Sequence, residues 1–419
     1  MSIQAIITIL DFLLWIIIAA NVMYVLFFSL ASFLPKKKNQ TSDIKHPLDR
    51  RTLTTEETQE PSYLILFPAY REDSVILNSV KNFLQQDYPK ELYQVIVISD
   101  QMQAETNEAL SQLPITLLQP AFANSNKAKA LQYAIEEAEK GMWKKGSIDF
   151  VVILDADNIV APDFLTQLSQ IANPEIAIQC HRTAKNANND IAALDGLSEE
   201  INNSIFRKGH NRIGMSSALI GSGMCFNYDW FKNHVCMLDS AVEDRELEAL
   251  LMKQGIYIHY AEDIKVMDEK VSNSDNFQRQ RLRWMTGQVQ AFFHMLSYIP
   301  KAIITGNINY IDKTIQQALI PRSILLVLTP LFALTFAILD YFSLLTSHFS
   351  LIKWYIILIA IVLAIFIAIP APLRNKALLN KVLSLPLLVW KMIKNIFHIK
   401  PNNKEFIHTS HQQPYIDGE

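Results

Sequence analysis

Residues 12–34 carry no charged side chain, and only Asn21, Ser29 and Ser32 interrupt their apolar character. About 20 such residues cross the hydrocarbon core of a bilayer, where the backbone must satisfy its own hydrogen bonds, so this stretch reads as a membrane-spanning helix. A cleavable signal peptide would need a basic start and a shorter apolar run, and residues 1–11 contain no Lys or Arg. Two more uncharged runs, 323–339 and 354–373, flank a short segment holding Asp340 and His348, the pattern of a helical hairpin. Three spans are expected, one within 5–35 and two within 321–373.

Basic residues set the expected orientation. Lys36, Lys37 and Lys38 follow the first span, Arg374, Lys376 and Lys381 follow the last, and Lys353 stands alone on the opposite side. The positive-inside rule then puts the segment between the spans in the cytoplasm and the chain in the cell (inner) membrane, in contact with membrane lipids. A net charge of -3 over 419 residues advertises no nucleic-acid partner. Cys180, Cys225 and Cys236 are odd in number and match no disulfide framework, which fits a reducing compartment.

Within the cytoplasmic part, residues 36–60 are polar, with little apolar periodicity, and read as a linker. Apolar runs of strand type at 63–67 and 94–98 enclose a helical pattern at 75–85, and the alternation continues through 115–118, 127–140 and 150–154. The expectation is an α/β catalytic domain over 61–285, built on a parallel sheet with helices on both faces. Residues 286–320, with Phe292, Phe293 and Leu296 before Pro300, either dock on the membrane surface as interface helices or pack as an ordinary core. Over 374–419, the short apolar run 382–390 between lysines reads as an interface helix, and a polar cytoplasmic tail with His408 and His411 follows.

Four polar clusters fall in order along this domain. Asp100 and Asp155 each follow an apolar strand, so both point to the crevice at the carboxyl ends of the sheet. Asp155 and Asp157 offer hard oxygens suited to Mg²⁺ or Mn²⁺ and the diphosphate such an ion binds; the alternative is a helix cap before Pro162. Glu243 and Asp244 open a helix, where acids are favoured by the dipole in any case. Arg283 and Trp284 pair a phosphate-forking guanidinium with a stacking face for a sugar, whereas Arg279 and Arg281 read as residues facing solvent or anionic lipid. Gly221, Ser222 and Gly223 form a small-residue turn that permits close backbone approach to a ligand, or merely a tight turn before a strand.

Taken together, Pro68-Ala69-Tyr70-Arg71-Glu72, Leu84-Gln85-Gln86-Asp87-Tyr88-Pro89, Asn126-Lys127-Ala128-Lys129-Ala130-Leu131, Asp155-Ala156-Asp157, Gly221-Ser222-Gly223-Met224, Glu243-Asp244 and Gln280-Arg281-Leu282-Arg283-Trp284 resemble family-2 glycosyltransferases. The resemblance is strongest to the membrane-bound synthases of cellulose, chitin, hyaluronan and poly-N-acetylglucosamine. It implies a GT-A (Rossmann-like) catalytic domain, a UDP-sugar donor and a metal-dependent, inverting transfer. It further implies that Tyr70, Glu72 and Asp100 line the uridine pocket, that Lys127 and Asp155 lie near the nucleotide, and that Asp157 holds the metal. Asp244 would be the general base, and Gln280, Arg283 and Trp284 would bind diphosphate and acceptor. Ala128 stands where glycine is usual in the family, Asn158 where Thr or Ser is commoner, and cellulose synthases have more spans.

Three functions fit these features. The first is processive synthesis of an exported polysaccharide on a growing glycan. The second is addition of a single sugar to a lipid-linked or glycolipid acceptor. The third is a non-catalytic scaffold that binds nucleotide sugar.

Overall fold

The computed structural model describes residues 3–36, 60–142, 148–186, 189–240, 242–270, 274–342 and 349–374. Nearly all of the expected linker, the 382–390 helix and the histidine-bearing tail lie outside the described residues. Strands β1 (Tyr63–Tyr70), β2 (Tyr93–Asp100), β3 (Thr116–Leu118), β4 (Phe150–Ile153), β5 (Ile159–Val160), β6 (Ile176–Ala184), β7 (Met224–Asn227) and β8 (Tyr257–Asp268) form one sheet, ordered β3-β2-β1-β4-β7-β6-β8-β5. The helices around it include α1 (Ile3–Ala31), α2 (Lys127–Glu137), α3 (Asp190–Asn202), α4 (Glu243–Lys253), α5 (Ser274–Leu296), α6 (Ile308–Ala318), α7 (Arg322–Tyr341) and α8 (Phe349–Ala368).

The parallel sheet read from the sequence holds for one half only. β1 runs parallel to β2 and β4, and β2 to β3. Beyond β4 the sheet is mixed: β7 is antiparallel to both β4 and β6, β8 is parallel to β6, and β5 closes the edge antiparallel to β8. A strand as short as Met224–Asn227 holds no directional signal of its own. Its direction follows from tertiary pairing that sets Phe226 opposite Val151, both buried in the core beneath α2.

Side chains alternate across the parallel half as the pleat requires. Leu64 and Leu66 enter one core with Leu131 and Ala134 of α2, while Tyr63, Ile65 and Phe67 enter the other with Val80, Phe83 and Phe164. Both faces are covered, so every residue of β4 is buried. The register sets Tyr70 opposite Asp100 at the carboxyl ends of β1 and β2, one strand away from the end of β4 that leads to Asp155.

Helices α1 and α7 and the 351–368 part of α8 are each long and apolar enough to cross a membrane. Their inner faces share one core, in which Ile18, Val22 and Val25 meet Trp354, Ile357 and Ile361, and Leu194, Leu197 and Ile201 of α3 join them from the catalytic domain. Their outer faces leave Leu13, Ile17, Phe27, Leu334, Ile356 and Ile359 largely exposed, a surface that hydrocarbon covers at far lower free energy than water. Deep between the helices, Asp11 accepts from Lys353 Nζ at 2.5 Å and from Trp354 Nε1 at 2.7 Å, so neither charge is left alone in an apolar setting.

The candidate span α1 grips the catalytic domain through a buried polar knot. Tyr24 of α1 donates to Asp312 Oδ1 of α6 at 2.6 Å, and His210 Nε2 lies 3.2 Å from Asp312 Oδ2. The Phe28 ring stacks on His210 at a centroid distance of 3.6 Å. A Cβ on Gly209 would lie 2.3 Å from the Phe28 carbonyl oxygen, so only glycine lets α1 come this near. The catalytic crevice is thereby held directly against the ends of the spans.

Candidate active site

A single cavity of about 1060 Å³ joins the carboxyl ends of the strands to the three candidate membrane-spanning helices. Its catalytic half is lined by Tyr70, Glu72, Asp100, Lys127, Asp155, Asp157, Gly221, Glu243, Asp244, Gln280, Arg283 and Trp284. Thus twelve of the fourteen site residues read from the sequence meet in one space. Ser222 and Gly223 stand behind Gly221: Ser222 is buried, and the Gly223 amide donates to Ile153 O of β4 at 2.9 Å.

Lys127 organises the middle of the site. It opens α2, whose first turn is capped by the Asn126 side chain accepting from Lys129 N at 2.8 Å. Its ammonium donates to Asp155 Oδ1 at 2.5 Å and to the Gly221 carbonyl at 2.6 Å, and stands 3.4 Å from Glu243 Oε1. Burial works against this charge, yet Asp155, Glu243 and Asp244 outweigh burial and hold its pKa above the ordinary value. Gly221 adopts φ +82°, and a Cβ there would face Asp244 Oδ2 at 3.8 Å and Glu243 Oε1 at 3.9 Å, so the turn lies against both acids.

The two acids at the start of α4 differ in setting. Glu243 is 6% exposed and tied to Lys127, whereas Asp244 is half-buried, faces the cavity and accepts from Arg245 N through Oδ1 at 2.9 Å. Burial, reinforced by Asp244 and Asp155 and opposed by Lys127, pushes the Glu243 carboxyl up from 4.5 to about 7. The folded chain therefore holds that proton more tightly than the unfolded chain. The stability contributed by the protonated form is complete below pH 4.5 and is lost as the pH rises to about 7. In metal-free protein, Glu243→Gln is expected to flatten the fall in thermal midpoint across that window, by an amount equivalent to no more than about 3 kcal/mol. Parallel midpoint-against-pH curves for wild type and variant would contradict this.

Asp155 and Asp157 leave β4 on a turn in which Asp155 N donates to Asn158 Oδ1 at 2.9 Å. Asp157 Oδ2 accepts from Glu269 N at 2.6 Å and Oδ1 from Asn158 Nδ2 at 3.2 Å. Each oxygen keeps a second lone pair. Hard oxygens on a shared cavity wall fit Mg²⁺ or Mn²⁺. Among the described residues no group of three or more His, Cys, Asp or Glu is disposed to hold a cation, so two carboxylates alone make an incomplete cage. Such an ion would need oxygens from a bound diphosphate.

At the far end of the catalytic half, Asp100 is buried, its Oδ1 has no hydrogen-bond partner among the described residues, and burial raises its carboxyl despite Ser125 and Arg71. Arg71 adopts φ +56°, lies over the Tyr70 ring at 5.1 Å and donates through Nη2 to Gln101 Oε1 at 2.5 Å. Burial also presses the Arg283 guanidinium below its ordinary value, an effect that Glu243, Asp155 and Asp244 oppose. Arg281 departs from the solvent-facing role read from its alternate spacing. It pairs with the buried Asp195 and lies over the rings of Phe277 at 4.9 Å and Trp284 at 4.5 Å, while Arg279 is exposed as expected.

A buried ionic floor escaped the sequence reading. Arg182 Nη2 meets Glu199 at 2.9 Å, and Lys270 Nζ lies 3.0 Å from Glu199 and 2.8 Å from Asp268. These residues come from β6, α3, β8 and the segment after it, and no local spacing marks them. The charged run Asp268-Glu269-Lys270 directly after the strand residues Val266 and Met267 is the local signal the sequence offers.

A family model described as glycosyltransferase like family 2 matches residues 61–287, more than half of the chain. The protein belongs to this family and is a glycosyltransferase. Comparison with the curated proteins finds no match. Among solved structures, the mannosyltransferase PcManGT from Pyrobaculum calidifontis, in complex with GDP-Man and Mn²⁺, is similar in fold at 17% identity and a TM-score of 0.50, over 95% of this chain and 100% of that one. TarS 1-349 from S. aureus matches at 14% identity and a TM-score of 0.38, covering 80% and 88% of the two chains. Glucosyl-3-phosphoglycerate synthase from Mycobacterium tuberculosis, in complex with Mn²⁺, UDP and phosphoglyceric acid, matches at 15% identity and 0.35, covering 50% and 72%. The fold is the GT-A type.

Proposed function

We propose that this glycosyltransferase moves one sugar from a nucleoside-diphosphate sugar, a UDP-sugar by its motifs, to a lipid-linked acceptor at the cytoplasmic face of the membrane. The observation behind this is the course of the cavity. Past Trp284 its lining changes to Val25, Leu326, Val362, Ile365 and Phe366 of the three membrane helices and to Ile369 just past α8. Val362 and Phe366 are more than half exposed, so the cavity reaches the outer face of α8, where lipid chains lie. A processive synthase needs a path for a hydrated glycan. Aliphatic walls open to hydrocarbon suit an acyl or isoprenoid chain instead, which ranks polymer synthesis second.

The site residues then take the following roles. Tyr70, Glu72 and Asp100 hold the base, and Lys127 and Arg283 meet the diphosphate. Asp155 and Asp157 hold a divalent cation, which supplies Lewis acidity for the leaving diphosphate. Asp244, facing the cavity beside the Gly221 turn, takes the proton from the acceptor hydroxyl as its oxygen attacks the anomeric carbon and inverts it. Gln280 and Trp284 orient the acceptor, and Arg281 stiffens Trp284 from behind. Positioning on a rigid strand-end scaffold supplies much of the rate.

The test is incubation of the detergent-solubilised protein with a panel of UDP-sugars, Mg²⁺ or Mn²⁺ and a lipid extract, following UDP release and product mass. Lipids heavier by one sugar are expected. A long polymer from one donor would restore the synthase reading, and donor binding without turnover in any mixture would leave the scaffold.

A further inference from the structure

We infer that the acceptor is an anionic lipid whose phosphate or diphosphate is gripped by Arg322 and Arg374 where the cavity passes from its polar to its apolar half. This rests on the lipid-acceptor reading above and names the headgroup chemistry. Both arginines line the cavity, Arg322 at the first residue of α7 and Arg374 just past α8. Among the described residues, neither has a carboxylate within ion-pair distance. Arg322 Nη2 donates to Asn202 Oδ1 at 2.6 Å and to Ser198 O at 3.0 Å. Arg374 donates through Nε to Ile369 O at 2.9 Å and through Nη2 to Ile367 O at 3.1 Å, and packs on Phe366 and Phe33.

Neutral partners hold these guanidiniums in position without cancelling their charge. Several other cavity cations are compensated by carboxylates: Arg281 by Asp195, Arg182 and Lys270 by Glu199 and Asp268, Arg207 by Glu199, and Lys127 by Asp155 and Glu243. Uncompensated charge at the lip of an apolar cleft is costly unless an anion arrives with the ligand, and a forked guanidinium matches phosphate oxygens. The neighbouring side chains on the membrane side, Val362, Ile365, Phe366 and Ile369, take the chain of the same molecule. On the other side lies Asp244, so the attacking hydroxyl belongs to a sugar carried beyond the phosphate.

The probe is geranylgeranyl phosphate, with geranylgeraniol as its neutral counterpart and inorganic phosphate as the headgroup alone, each titrated into the full-length protein in non-ionic detergent. The phosphate lipid is expected to bind about tenfold or more tightly than the alcohol. That preference should disappear in Arg322→Gln with Arg374→Gln and return in part in Arg322→Lys with Arg374→Lys. UDP affinity, measured on the same samples, reports that the variants remain folded. Equal binding of alcohol and phosphate would overturn the anion site while leaving a lipid acceptor in place. Displacement of the lipid by inorganic phosphate at equal concentration would overturn the lipid source of the anion. If neither lipid binds and no lipid accepts sugar, the acceptor reading itself fails.

Discussion

Asp244→Asn is expected to stop sugar transfer while UDP-sugar affinity stays near that of the wild type. The substitution keeps an Oδ1 acceptor for Arg245 N, now at 2.9 Å, and so preserves the first turn of α4. It removes a carboxylate that lines the cavity outside ion-pair distance of Lys127, whereas Glu243 is buried against that ammonium. Loss of a general base lowers the rate by about 10²–10⁴-fold. Single-turnover transfer with saturating donor isolates the effect from binding. If Asp244→Asn keeps most of its turnover while Glu243→Gln loses it, the base is Glu243, whose carboxyl at about 7 is poised near neutrality.

How far the sequence discloses the site depends on how local each signal is. The candidate spans were legible because bilayer thickness imposes a length on uncharged residues, and α1 and α7, helices long and apolar enough to cross, cover the runs read from composition. The Asp155–Asp157 turn was legible because four buried residues, Phe150–Ile153, precede it and a strand end dictates where the next side chains go. The mixed half of the sheet was not, because the pairing of β6 with β8 joins segments about eighty residues apart, Ile176 against Tyr257. Arg281 was misread for the same reason: its spacing is that of a solvated helix face, and only the fold brings Asp195 of α3 against it. Arg322 and Arg374 were visible as charges flanking apolar runs, and one of them served as an orientation signal. That they line the cavity with no carboxylate in ion-pair distance among the described residues depends on the three candidate spans closing around the crevice, which no linear pattern carries.

The candidate spans pack directly on the catalytic domain. Tyr24 and Phe28 fasten α1 to Asp312 and His210, and Gln317, at the end of the same α6, accepts from Arg245, the residue after the proposed base. A chain of side-chain contacts therefore joins α1 to the start of α4.

The diphosphate site is expected to take up its cation only together with nucleotide. Two carboxylates, each partly engaged, offer too few oxygens for an octahedral ion, and Mg²⁺ in such sites completes its shell with waters and phosphate oxygens. Mn²⁺ alone should therefore bind weakly, whereas Mn²⁺ should tighten UDP binding by about tenfold to a hundredfold, the range of one or two charge-assisted contacts. Asp157→Asn keeps an oxygen for the Glu269 amide and removes the charge, so this variant should fold, bind UDP equally well with or without Mn²⁺, and lose transfer. Asp157→Ala also frees the Glu269 amide, which anchors the segment after β8, and its thermal midpoint should fall below that of the Asn variant. Calorimetric titration of UDP into each protein, with Mn²⁺ and with chelator, separates the two effects. An Asn variant whose UDP affinity still rises with Mn²⁺ and whose transfer stays equally metal-dependent would remove Asp157 from the cation shell and leave it a purely structural acceptor.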